Sequence, residues 1–401
     1  MEELEVDVAI IGAGVAGLSV AKELSRYDID IIVIERNDDV ALEMTGNNMG
    51  LVCQGADSLT FRPGTLHAEL NIKSIPLWPK FAEELGVPFK RVGGLGLIWN
   101  KADYLRFLKM YSRAFKSSLK PNASYYIPEG SFKPLQFLDR RSLKDLEPNI
   151  NPKIQGALYD PNLAVIDPVV LTKSLAENAK ANGIELLLGN AVKNIERKDT
   201  YFLINTNEAT VKASFVVNAA GINTDRIAEM VRARNFSYVP VKGVLTDFDE
   251  ETSEVFSHQA FYLPRLGDPH VRAVVPIVYG GLRIGIYLDF VMKSDKTLPP
   301  QGLKHNLKVV KEVIPGYPFE KHIKRTFFGI MPITNAEVGW HDFIVDVPEY
   351  VPRWVNIILG PAGVSSAPML GKRVAELLMT SGLYLLPKSN FNPTEKGGVK
   401  A

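Results

Sequence analysis

A single cysteine, Cys53, is all the thiol chemistry this chain of 401 residues carries. It cannot close an internal disulfide, and alone it cannot hold a thiolate-ligated zinc or an iron–sulfur centre, so redox chemistry would need a bound organic cofactor. Excess charge is also lacking. The 46 Lys and Arg against 45 Asp and Glu leave a net +1, which sets up no field for a polyanion and speaks against nucleic acid as a partner. The uncharged stretch that precedes Lys22 from Val8 is broken by Gly12, Gly14 and Gly17 and falls well short of the ~20 apolar residues that span a bilayer. The N-terminus, MEELEVD, is acidic where a secretory signal is basic, so a cytoplasmic protein is expected. The six histidines, His67, His258, His270, His305, His322 and His341, lack any ligand spacing such as HExxH; no metal is expected, and most of them read as surface residues.

What is present is a globular composition, 46% hydrophobic and 23% charged, on a chain long enough for two domains. Between Val6 and Glu35 the apolar run VDVAIIG, a glycine turn with the helical AGLSVAKELSRY, and the apolar run IDIIVIE form a βαβ unit. Continuous rather than alternating apolar strands belong to a parallel sheet buried on both faces. ASFVVNAAG, ending at Gly221, and RWVNIILGPAG, ending at Gly363, carry the same signature. A discontinuous α/β domain of Rossmann type is therefore expected from residues 1–75, 150–225 and 325–401. Residues 76–149 and 226–324 hold alternating segments, VKGVLTDFD from Val241 and VRAVVPIVYGGLRIGIYLD from Val271, which suit an antiparallel sheet in a second, α+β substrate domain.

Two helices stand out. In DPVVLTKSLAENAKAN, Asp167 is the N-cap, Pro168 takes the first helical position and Gly183 marks the stop, as the asymmetry of helix ends requires. From about Tyr104 to Lys120, Tyr104, Phe107, Leu108, Tyr111 and Phe115 share one side and Arg106, Lys109, Arg113, Lys116 and Lys120 the other. That basic amphipathic helix packs on the second domain with a solvated face, or docks on an anionic membrane or an acidic partner. The polar tail beyond Pro393 is expected to fray.

The chemistry is carried by Gly12-Ala13-Gly14-Val15-Ala16-Gly17, a GxGxxG between strand and helix, with Glu35 closing the second strand. The first glycine makes the turn, the second admits a pyrophosphate to the backbone N–H groups, and the third lets helix pack on strand. Glu35 would bind a ribose diol and repel a 2′-phosphate, so FAD or NAD is expected and NADP is not. A small polar loop, Thr45-Gly46-Asn47-Asn48-Met49-Gly50-Leu51-Val52, follows.

This order of motifs, with AVIDPVVLTKSLAENAKANGIELLLGNAV, VVNAAGINTD and GPAGVSSAPMLGKRVAELL, resembles the D-amino-acid-oxidase-type flavoprotein superfamily. Within it, the chain most resembles the FAD-dependent glycerol-3-phosphate dehydrogenases, particularly the flavin subunit of the anaerobic type, without that subunit's cysteine-rich C-terminal region. The resemblance implies FAD as cofactor, with Gly12, Gly14, Val15, Ala16, Gly17, Glu35 and Arg36 on its ADP half. It implies Thr45, Asn47, Asn48, Gly50 and Leu51 along phosphates and isoalloxazine, Val192 at the adenine, and Ala220 and Gly221 beside the pyrophosphate. Gly329 and Gly360, Pro361, Ala362, Gly363 and Val364 would approach the ring. The implied reaction is oxidation of sn-glycerol 3-phosphate to dihydroxyacetone phosphate. Its electrons would pass to a quinone, an electron carrier or a membrane-anchor subunit, and the protein would be peripheral on the cell membrane and compatible with a homodimer.

The substrate side departs from that pattern, which has histidines at the positions of Met49 and Cys53, an arginine at Asp57, and GxRP where Gly329-Ile330-Met331-Pro332 stands. A small anionic substrate still needs a cationic clamp. Lys242 in PVKG is the favoured source, with a surface salt bridge as the competing reading; Arg325, Arg265 and Arg283 are the others. His258 and His270 are the candidates for the base, and Cys53 reads as a packed thiol. Oxidation of a small 2-hydroxy acid or an amino acid (2-hydroxyglutarate, proline or glycine) is the alternative activity, and a non-catalytic flavin-binding electron-transfer subunit a further one.

Overall fold

The computed structural model describes residues 2–53, 64–118, 133–262, 270–334 and 341–394. An eight-stranded sheet is organised around the strand Glu2–Ile11, which runs parallel to Ile31–Ile34 on one side and to Ala209–Asn218 on the other. Trp354–Ile358 adds in parallel to the end of Ala209–Asn218, pairing Val216 with Trp354 and Asn218 with Asn356. The expected glycine-ended strands thus share one sheet and one direction, and their carboxyl ends open on one side. Alternate residues feed two cores: Val8, Ile10, Val33, Val217 and Val355 lie on one face, and Ala9, Ile11, Ile32, Val216 and Trp354 on the other. This burial on both faces is why the strands read as unbroken apolar runs.

The first strand begins at Glu2, ahead of the apolar run, because Glu2–Glu5 continue the parallel ladder onto Ala209–Lys212. An exposed ion pair, Lys212 to Glu5 at 2.8 Å, decorates that extension. The helix Pro168–Ala181 has the predicted ends: the Asp167 carboxylate accepts from the N–H groups of Val169 and Val170, and Gly183 takes φ +92°.

The second sheet also has eight strands, in the order 323–333, 239–248, 282–290, 272–276, 259–262, 94–98, 156–160 and 136–139. Its pairings are antiparallel except between Gln259–Tyr262 and Gly94–Ile98. Helix Pro300–Val313 covers its outer face, burying Val309, Val310 and Val313 against Phe248, Val274 and Ile284. The sheets do not divide the chain at residues 150 and 325. Gly156–Asp160 belongs to the second sheet through Gly94–Ile98, and Ile323–Ile333 through an eleven-residue strand that begins before 325 and pairs with Val239–Phe248.

The basic helix spans Lys101–Ser118. Phe107 is buried against Gly96 and Phe261, while Tyr104 and Tyr111 pack on Phe137 with ring centroids 5.4 and 5.6 Å away. Tyr104, Leu105 and Leu108 remain exposed. Lys120 and the side chains of Arg113, Phe115 and Lys116 lie outside the described residues, as does the tail beyond Thr394. Among the described residues no helix is long and apolar enough to cross a membrane.

Candidate active site

The carboxyl ends of the parallel strands and the inner face of the second sheet enclose a cavity of about 1110 Å³. At one end Gly12 turns with φ +108°, and a Cβ there would stand 2.4 Å from the carbonyl oxygen of Ala219. Gly17 permits the helix to settle on that turn, since its Cβ would come within 2.0 Å of the Gly12 oxygen. The helix Val15–Leu24 consequently directs its N-terminus at the cavity, where its dipole and backbone N–H groups favour an anion. Glu35, only 9% exposed, accepts from Ala13 N–H at 2.8 Å with one carboxylate oxygen and from the Asn37 backbone and side chain at 2.9 and 2.8 Å with the other. These bonds fix the carboxylate and leave Oε2 a lone pair for a ribose hydroxyl. Asn190 to Lys193 adjoin it, the Asn190 N–H donating to the Glu35 carbonyl.

The cavity continues along the loop from Glu43 to Leu51. Thr45 Oγ1 accepts from Val15 N–H at 3.2 Å, which ties this loop to the glycine turn. Of the expected cofactor residues, Gly12, Gly14, Val15, Ala16, Glu35, Arg36, Thr45, Asn47, Asn48, Leu51, Val192, Ala220, Gly221 and Gly360 to Val364 line the cavity. Gly17, Gly50 and Gly329 stand behind its wall and shape it by close approach. A Cβ on Gly50 would meet Ile166 O at 2.7 Å, and one on Gly329 would meet Asn47 O and Met44 Sδ at 2.5 Å. Ala362 adopts φ +62°, the left-handed turn that starts the helical residues Gly363–Ser366 at the cavity edge.

The substrate-side expectations are corrected by strand parity. Val241, Gly243 and Leu245 face the cavity, so Lys242 faces the other way. Only 1% exposed, it meets Asp295 at 2.9 Å and the Thr297 carbonyl at 2.6 Å, over the ring of Phe328. Arg325 and Arg283 both bind Asp247 and do not line the cavity. His258 is held by Glu147 at 2.6 Å and meets the Tyr159 ring edge to face. His270 accepts from Leu288 N–H and stacks on Tyr287. Neither candidate base is on the cavity wall. Arg265 and Asp57 lie outside the described residues.

His341 is the histidine that the sequence reading missed. It lines the cavity and is 5% exposed, and His67 behind it is fully buried, so these two are not surface residues. Nδ1 of His341 meets the Thr334 hydroxyl at 3.2 Å, and the opposite ring edge lies against Gly360. The only sequence signal was position: His341 precedes the Ile344–Asp346 strand, whose antiparallel pairing of Ile344 with Ile358 sets it opposite Gly360. Cys53 stands half-buried on the same wall, its N–H donating to Ser365 Oγ.

Residues 7–377 match the family described as FAD dependent oxidoreductase. The chain belongs to that family. It is 32% identical over 390 residues to the glycerol 3-phosphate dehydrogenase of Caloramator mitchellensis, covering 96% of this chain and 76% of that protein. It is 28% identical over 398 residues to the glycerol 3-phosphate oxidase of Mycoplasma genitalium, covering 97% of each. The dithionite-reduced structure of L-alpha-glycerophosphate oxidase from Mycoplasma pneumoniae with FAD bound superposes with a TM-score of 0.86 at 25% identity, covering 98% of this chain and 99% of that one.

The cavity of this FAD-dependent oxidoreductase fits its cofactor on its own geometry. The Gly12 cradle is one that a Cβ would fill, the helix N-terminus faces it, and the Glu35 carboxylate is preset beside it. The opposite wall, from Val241, Leu245, Phe261 and Ile286 to Met331, is apolar and suits an aromatic ring system.

Proposed function

We propose that this oxidoreductase converts sn-glycerol 3-phosphate to dihydroxyacetone phosphate. The observation that carries this reading is the match of nearly the whole chain, at 32% identity, to a glycerol 3-phosphate dehydrogenase. When bound, FAD supplies the acceptor for the hydride that leaves the alcohol carbon. Gly12, Gly14 and the Val15 helix terminus hold its pyrophosphate, and Glu35 its ribose. The loop Thr45–Leu51 and residues Gly360–Val364 would hold its isoalloxazine, the latter with backbone dipoles that would favour the reduced, electron-rich form. Val241, Leu245, Ile286 and Leu288 give the cavity an apolar wall that would exclude water from the bound ring. The lining cations Arg36, Lys193 and Arg226 stand with Glu35, Val192 and Gly221 on the nucleotide side.

Anaerobic addition of sn-glycerol 3-phosphate to the yellow holoenzyme is expected to bleach the visible flavin absorbance. Bleaching by 2-hydroxyglutarate, proline or glycine, with none by glycerol 3-phosphate, would overturn the assignment. In the same reading, a quinone or a protein carrier reoxidises the flavin at a peripheral membrane contact. Exposed Tyr104, Leu105 and Leu108 beside Lys101 and Lys109 support the helix Lys101–Ser118 as that contact. Salt-sensitive binding to anionic vesicles is expected; absent or salt-insensitive binding overturns it.

A further inference from the structure

We propose that Arg283 is a positioning residue for the cofactor: it fixes the Thr45–Leu51 loop from behind and sets the reduction potential of the flavin that the loop flanks. The inference depends on FAD and not on which alcohol is oxidised.

Arg283 lies on the second-sheet strand Leu282–Phe290 and is 8% exposed, with Asp247 beside it at 3%. Its Nε donates to Asp247 Oδ1 at 2.6 Å and its Nη2 to Asp247 Oδ2 at 3.0 Å, a fork on a carboxylate. That fork orients the guanidinium and leaves Nη1 for one further partner, the carbonyl of Asn48 at 2.8 Å. Asn48 is in turn the hub of the loop. Its side chain donates to Thr45 O at 2.6 Å and accepts from Gly50 N–H at 2.7 Å. Thr45 accepts from Val15 N–H, the first residue of the helix that opens on the pyrophosphate cradle. One polar chain, Asp247 to Arg283 to Asn48 to Thr45 to Val15, thus joins the second sheet to the nucleotide cradle.

A second feature gives the chain an electrical consequence. Asp247 also receives Nε of Arg325 at 2.8 Å, so two guanidinium groups share one carboxylate and the cluster carries a formal +1. Arg325 is more than half exposed and screened, whereas Arg283 is buried directly behind Asn48. A buried positive charge near the loop stabilises the electron-rich, reduced cofactor over the oxidised one. Lysine cannot replace this arrangement, because a single ammonium does not present a planar fork and a third donor at once.

The experiment uses holoenzyme and two readouts that need no substrate: FAD dissociation, followed by flavin fluorescence, and the reduction potential, measured by equilibration with a reference dye. Arg283→Met is expected to weaken FAD binding about tenfold, the equivalent of one net hydrogen bond, and to lower the potential. Arg325→Met removes a half-exposed, screened charge and no bond to the loop, and is expected to match the wild type in FAD affinity and to lower the potential by less than Arg283→Met does. Wild-type affinity and potential in Arg283→Met overturn the proposal. Equal losses in the two variants also overturn it, because they would assign the effect to the Asp247 cluster as a whole. If Arg283→Met does not fold, Arg283→Lys decides: weakened FAD binding on a folded protein supports positioning, and unchanged binding overturns it.

Discussion

The carboxylate of Glu35 and the backbone N–H of Ala13 are joined by a buried hydrogen bond of 2.8 Å, so the acid that closes the second strand also braces the glycine turn. Glu35→Ala should therefore cost stability as well as cofactor affinity. The Ala13 N–H, left buried without its acceptor, costs about 1–3 kcal/mol. Urea unfolding of the apoprotein is the measurement, because it isolates the brace from any effect of the cofactor. A midpoint equal to that of the wild type would show that the bond contributes nothing.

Gly12 and Gly189 both have positive φ, +108° and +70°, but their surroundings differ. A Cβ at Gly12 meets a backbone carbonyl at 2.4 Å, whereas one at Gly189 has nothing within 4 Å. Gly189→Ala should lose only the about 1–2 kcal/mol that left-handed backbone costs an L-residue and purify yellow. Gly12→Ala has to move the Ala219 strand end and should purify without flavin. Visible spectra of the two purified proteins check the contrast.

The nucleotide half of this site was legible because its requirements are local. GxGxxG, the flanking apolar strands and the Asp167–Gly183 helix each announce themselves within a few residues. The substrate half depends on parity and on long-range approach. Lys242 was the natural choice for an anion clamp, yet Val241 and Gly243 face the cavity and thereby turn it outward. His341 carries no periodic signal, and its neighbour Gly360 lies in the turn after the separate strand Trp354–Ile358. Arg283 was recognised as a cation, but its link to Asn48 spans 235 residues of sequence and exists only in the fold.

Lys242 and Asp295 supply a test that depends on pH. The Thr297 hydroxyl and backbone N–H, followed by Lys242, hold the Asp295 carboxyl at about 2, below its ordinary range. A carboxyl depressed by folding stabilises the native state above its unfolded value of ~3.9 and loses that contribution as pH falls through its folded value. Asp295→Asn should be less stable than wild type at neutral pH, and the difference in Tm should close between about pH 4 and pH 2. A constant difference across that window would show that titration of Asp295 is not its source. Lys242→Met should lower Tm while leaving KM for glycerol 3-phosphate unchanged, since the ammonium does not reach the cavity.

His341 and Gly360 should behave as one packing unit. A Cβ added at Gly360 would lie 2.3 Å from Cε1 and 2.4 Å from Nε2 of the imidazole. The ring cannot retreat freely, because Thr334 stands at its Nδ1 and Phe343 packs beside it with centroids 5.8 Å apart. Gly360→Ala alone should therefore displace the imidazole or the Gly360–Val364 turn, lowering Tm and shifting the flavin spectrum. His341→Ala alone should leave a void and cost a smaller amount. Combined, the new methyl enters the space the ring has left, so the double variant should be more stable than the sum of the single losses predicts. Contacting residues couple by about 0.5–3 kcal/mol. Strict additivity in thermal unfolding would mean that the turn moves away from the ring at no cost, and that His341 does not hold the Gly360 wall of the cavity in place.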